Sequence, residues 1–160
     1  MTPPMRPWIG LVAFVAVCFA VAWLGSAVTT PKIAGWYAAL AKPDWNPPNW
    51  IFGPVWSFLY LTMAVAAWLV WRQRGWGGAK WALLLFGIQL ILNLLWSCLF
   101  FGLENPGLAF VEIIVLWAAI LATTVTFWPR SKIAGLLLVP HLAWVSFAAV
   151  LNFTMWRLNG

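Results

Sequence analysis

The chain has 160 residues, 64% hydrophobic and only 8% charged, where a soluble domain carries about 25% charged residues. Most of its surface is therefore predicted to meet lipid, which excludes an ordinary soluble domain. The net charge of +6 rests on nine basic residues scattered between apolar runs, a pattern that fits charges flanking membrane spans and excludes a nucleic-acid-binding stripe.

Five apolar runs follow in chain order, over about 8–28, 51–71, 80–102, 107–128 and 133–156. At about 1.5 Å per helical residue, each is long enough to cross a hydrocarbon core of about 30 Å. The first could imitate a signal peptide, but signal h-regions run for about 7–15 residues. This run is longer and carries Trp23, so it reads as a retained helix. Gly75, Gly77 and Gly78 read as a short flexible turn after the second run. Glu104-Asn105-Pro106 closes the third run, and Pro129-Arg130-Ser131-Lys132 the fourth. Irregular backbone cannot face lipid. The predicted fold is therefore an all-α integral membrane protein, an antiparallel bundle of five transmembrane helices forming a single membrane domain over 1–160.

A proline- and tryptophan-rich loop over 30–50 joins the first two runs. From Trp36 to Tyr60 the chain holds Trp36, Trp45, Trp50 and Trp56, punctuated by Pro43, Pro47, Pro48 and Pro54. Proline fixes φ and pushes the residue before it out of the helical region. Lys42, Asn46 and Pro47 are thus biased to extended geometry, and the loop is predicted to be a stiff lid over a cavity between the helices. Five spans put the termini on opposite sides. Arg6, Arg72, Arg74, Lys80, Arg130 and Lys132 lie on the N-terminal side, against Lys32, Lys42 and Arg157 opposite. The positive-inside rule then places the N-terminus in the cytoplasm and the aromatic loop outside. The expected location is a cell membrane, crossed several times.

Polar residues inside spans face the bundle or a wet cavity. Gln89, Asn93, Trp96 and Phe100 share one helical face of the third run. Trp56, Tyr60, Met63 and Ala67 share one of the second, and His141, Trp144, Ala148 and Asn152 one of the fifth. One reading is a pocket lined by Trp56, Tyr60, Asn93, Trp96, Trp144 and Ala148, suited to a flat, largely apolar ligand. The other is that these groups glue helices together. His141, without carboxylates or thiols nearby in sequence, reads as a hydrogen-bonded interior group, with axial ligation of a haem as the alternative. Glu112 is the only acid well inside a run and is expected to sit there uncharged. Trp8, Trp68, Trp71, Trp76, Trp81, Trp128 and Trp156 lie near span ends, where interfacial anchoring accounts for them. Ala16 with Ala20, and Ala118 with Ala122, are small pairs that permit close helix contact within one chain or between two.

The residues resemble those of the tryptophan-rich sensory protein / translocator protein (TspO/MBR, peripheral benzodiazepine receptor) family. The resemblance runs through Trp36-Tyr37, Leu40, Lys42-Pro43, Trp45, Pro47-Pro48 and Gly53-Pro54-Val55-Trp56 with Leu59-Tyr60. It continues in Gln89, Asn93, Trp96, Phe100-Phe101, Pro140, Leu142-Ala143-Trp144, Phe147-Ala148, Leu151-Asn152 and Trp156-Arg157-Leu158-Asn159. It implies a five-helix membrane protein, commonly dimeric, that acts as a receptor, sensor or transporter. Its ligands would be porphyrins (haem included), sterols and isoquinoline or benzodiazepine compounds, with no required cofactor. The resemblance maps the ligand site onto Trp36, Trp45, Trp56, Tyr60, Asn93, Trp96, Trp144, Ala148 and Leu151. Trp56 and Trp144 correspond to tryptophans implicated in light-dependent porphyrin breakdown, the one enzymatic activity the resemblance offers. His141 stands where many relatives have tyrosine after the proline, and it joins the candidate ligand-binding residues. Phe153 takes the tyrosine place of the animal sterol motif, between Leu151 and Arg157, without the hydroxyl.

Overall fold

A computed structural model describes residues 6–160. The described chain is helical apart from short connections. Helix α1 spans Pro7–Lys32, α2 Phe52–Ser97, α3 Pro106–Phe127 and α4 Lys132–Asn159. Wider π turns extend α1 through Ile33–Tyr37 and α2 through Cys98–Gly102, and a 3₁₀ turn at Asn49–Ile51 leads into α2. These make four helices long and apolar enough to cross a membrane.

Where five separate helices were predicted there are four, because the second and third runs are one element. A straight helix of 46 residues would be about 69 Å long, twice the hydrocarbon thickness. It is not straight. Gly75 has φ 64° and ψ −179° inside α2, a region open essentially to glycine alone. There the helix doubles back. Gln89 Nε2 donates to Met63 Sδ at 3.4 Å, across a separation that a straight helix would make about 39 Å. Gly77 and Gly78 remain helical, so the turn is one residue rather than a glycine-rich linker. Ala64, Ala66, Ala67, Ala79 and Ala82 are all fully buried around this fold-back, and side chains so small let the two arms approach closely.

The expected loop over 30–50 is shorter in the structure. The helical path runs through Pro31 to Ala39, and irregular backbone covers only 40–48. Proline lacks a donor and strains the preceding turn. A π turn follows it directly and carries Trp36 and Tyr37 against the rings of Phe100 and Phe101, which stand in the other π turn. The loop is held by more than its prolines. Asn159, at the end of α4, accepts from Ala41 N at 2.9 Å and donates to Ala41 O at 2.9 Å. Lys42 Nζ lies 4.6 Å from the centre of the Tyr37 ring and donates to Ala38 O and Leu40 O.

The start of α3 follows from its sequence. Asn105 caps it by accepting from Leu108 N at 2.9 Å, with Pro106 next, the arrangement that satisfies an orphan amide and presets φ. Ser131 caps α4 by accepting from Ala134 N. Three indoles cover glycines: Trp71 on Gly10, Trp156 on Gly107 and Trp128 on Gly135. A Cβ at any of the three would run into the ring, so these are places of close approach. Ala16, Ala20 and Ala118, the small residues singled out for helix contact, are exposed, and the interior contacts fall to the alanines of α2.

Candidate functional site

A cavity of about 620 Å³ opens between α1, both arms of α2 and α4, within the range of about 300–1,000 Å³ typical of ligand pockets. Seven of the ten sequence-derived site residues line it: Trp56, Tyr60, Asn93, Trp96, Trp144, Ala148 and Leu151. The doubling back of α2 is what brings Trp56 and Tyr60 of one arm opposite Asn93 and Trp96 of the other. Among the described residues, no charged side chain lines the cavity.

The other three do not line it. Trp36 packs edge-on against Phe100 at 5.5 Å, one layer outside. Trp45 stands edge-on to Phe147 at 5.9 Å and is exposed on its other side. His141 is fully buried, edge-on to Trp56 at 6.1 Å, so Trp56 stands between it and the cavity. Among the described residues neither ring nitrogen of His141 has a hydrogen-bond partner, and the ring sits in the interior as expected. Glu112 is likewise buried in α3, with no partner for its carboxyl oxygens among the described residues.

Sequence reasoning missed one whole wall. Phe19, Trp23, Ser26, Thr29 and Thr30 of α1 face the cavity, with Asn49 and Trp50 beside them. Trp23 is 69% exposed while lining the cavity, so the rim reaches the outer surface of the bundle. The spacing of Phe19, Trp23 and Ser26, by four and then three, was a legible signal. No side chain of that stripe is strongly polar, so spacing alone does not separate it from a lipid-facing one.

The polar residues that line the cavity also bridge helices. Asn152 ties three helices: it accepts from Trp96 Nε1 at 2.9 Å and donates to Pro106 O at 2.7 Å. Asn93 Nδ2 donates to Gln89 Oε1 at 2.8 Å and to Gln89 O at 2.9 Å. Its Oδ1 is buried with no partner among the described residues, closed off from the cavity rather than presented to it. Replacing Asn93 by leucine removes both bonds to Gln89 and is expected to lower stability by about 0.5–1.5 kcal/mol. Thermal melts of the variant and the parent in one detergent would check this, and an unchanged midpoint would mean that the pair contributes nothing to the fold.

Comparison with known proteins covers nearly the whole chain that builds this cavity. The sequence model of the TspO/MBR family matches residues 14–157. The chain belongs to the TspO/MBR family. As a TspO/MBR protein it is 47% identical over 148 residues to the tryptophan-rich protein TspO of Chlorobaculum tepidum, covering 91% of this chain and 92% of that one. It is 38% identical over 156 residues to the human translocator protein, at 96% and 92% coverage. To the tryptophan-rich sensory protein of Cereibacter sphaeroides it is 38% identical over 152 residues, at 95% and 92%. Its four long apolar helices fit a multi-pass integral membrane protein of this TspO/MBR family.

Proposed function

We propose that the protein is a membrane receptor or sensor, or a transporter, for porphyrins and other flat apolar ligands of sterol or isoquinoline and benzodiazepine type. The observation that carries this reading is the cavity itself. Its indole and phenyl walls offer stacking faces, while Ser57 and Asn152 supply polar handles. The uncharged lining suits the apolar body of such a ligand, and any carboxylates would sit at the rim, where side chains reach solvent.

In this reading the two arms of α2 each cross the bilayer. Phe52 to Arg74 and Trp76 to Ser97 each extend for about 33–35 Å, which makes five crossings in all. The six basic residues at one end then set that end, with the N-terminus, in the cytoplasm. The membrane is that of a bacterial cell, and the working unit is a homodimer, as family resemblance suggests.

Titration of the purified protein with protoporphyrin, followed by Trp fluorescence corrected for inner-filter effects, tests the pocket. Trp56→Phe combined with Trp144→Phe is expected to lower affinity by about tenfold, since the loss of two indole faces removes about 0.5–1.5 kcal/mol each. Unchanged affinity would remove the assignment of this cavity. A second reading, light-dependent oxidation of the bound porphyrin, is favoured by Trp56 and Trp144 lining the same cavity. It requires the double variant to lose turnover, and dark or anaerobic samples to yield no product.

A further inference from the structure

The end of the bundle opposite the aromatic loop carries a site that the cavity does not use. Arg6, Arg72, Arg74, Lys80 and Lys132 are exposed there, with Arg130 half-buried among them. Their common location follows from contacts: Trp68 Nε1 donates to Pro7 O, Gln73 Nε2 to Ser131 Oγ, and Arg130 Nε to Gly78 O. No acid balances them. The chain has only three acidic residues. Asp44 is in the loop, Glu104 pairs with Lys32 at 2.7 Å at the far end, and Glu112 is buried in α3.

Flanking charge that merely orients a membrane protein needs no particular shape, yet this end has one. Arg130 Nη1 donates to Thr126 O at 2.6 Å while its Nε reaches Gly78 O at 3.3 Å. The guanidinium thereby pins the bend of α2 to the end of α3. Beside the bend lies an apolar surface hollow of about 500 Å³, lined by Trp76, Gly77, Lys80, Leu83 and Leu84. A Cβ on Gly77 would meet nothing within 4 Å, so the hollow is open at that point. Lys80 Nζ lies 5.5 Å from the centre of the Trp81 ring, and Trp76 and Trp81 are both largely exposed. A cation beside an apolar hollow, flanked by indoles that prefer the headgroup level, matches a lipid with a negative head and a hydrocarbon body.

We propose that this end binds an anionic phospholipid. Its phosphate sits at Lys80 in the field of Arg72, Arg74, Arg130 and Lys132, and the upper part of one acyl chain fills the hollow of Trp76, Gly77, Leu83 and Leu84. Detergent-purified protein titrated with phosphatidylglycerol or phosphatidylcholine of identical chains, with retained lipids counted by native mass spectrometry, tests this. One phosphatidylglycerol should be held about tenfold or more tightly than phosphatidylcholine. That preference should fall about fivefold for each of Lys80→Gln, Arg72→Gln and Arg74→Gln. Gly77→Leu, which keeps every charge but fills the hollow, should weaken retention of both lipids. Lys42→Gln with Arg157→Gln, at the opposite end, should change neither. Equal retention of the two lipids, or an equal effect of the opposite-end pair, would overturn the proposal. Binding of heparin as tight as that of the lipid would reduce the site to a general polyanion patch and overturn it as well.

Discussion

Gly75→Ala is expected to lower the melting temperature of the protein in detergent, whereas Gly77→Ala leaves it unchanged or raises it slightly. Both positions offer open space for a methyl group, with nothing within 4 Å of the added Cβ. Any difference between them therefore comes from the backbone. At Gly75 the dihedrals of 64° and −179° lie where an L-residue is strained by about 1–3 kcal/mol. At Gly77 the backbone is helical, and alanine is favoured over glycine by about 0.8–1 kcal/mol. The strain at Gly75 also bears on function. Trp56 and Tyr60 face Asn93 and Trp96 only because the chain reverses there, so ligand affinity should fall together with stability. Circular dichroism melts of both variants under one detergent condition decide the matter. Equal shifts for the two alanines would mean that the reversal does not depend on glycine at 75.

Asn152→Leu should have the second large effect. The substitution keeps side-chain volume roughly constant and removes the hydrogen bonds to Trp96 Nε1 and Pro106 O. Two polar groups in a region shielded from water then lose their partner. Leaving such groups unsatisfied costs about 1–3 kcal/mol, toward the lower end in membranes, where measured interhelical bonds average about 0.6 kcal/mol. Trp96 and Asn152 both line the cavity, so the freed indole should also alter its shape and weaken ligand binding. Trp96→Phe removes the donor together with part of the ring that stacks on Phe100, and should also lower stability. The double variant should fall short of the sum of the two, because residues sharing one hydrogen bond are coupled. Strict additivity in the melting data would show that the bond contributes nothing.

Much of the site was legible because helical spacing is local. Gln89, Asn93 and Trp96 share a face whatever the helix packs against, as do Trp144 and Ala148, and each of these except Gln89 lines the cavity. Trp36 and Trp45 belong to the same aromatic stretch of sequence yet stack outside the cavity. An indole there serves packing or ligand equally well, and only the neighbours it meets distinguish the two. His141 occupies the pocket-facing stripe but is screened by Trp56, a matter of which ring fills the gap first. The wall from Phe19 to Thr30 has no distinct mark in the sequence, because apolar and weakly polar residues on a membrane helix look alike whether they face lipid or ligand.

By itself, the sequence determined a lipid-embedded, all-helical chain, the capped starts of α3 and α4, and the clustering of basic charge on alternate connections. Each of these follows from composition or from interactions within a few residues. Tertiary structure alone decided that the reversal between the second and third runs is confined to Gly75, and that Asn159 clips the loop to α4. It also decided which indoles surround empty space. Those outcomes depend on contacts between residues far apart in the chain, where small differences in packing select one arrangement among several that local preferences allow equally.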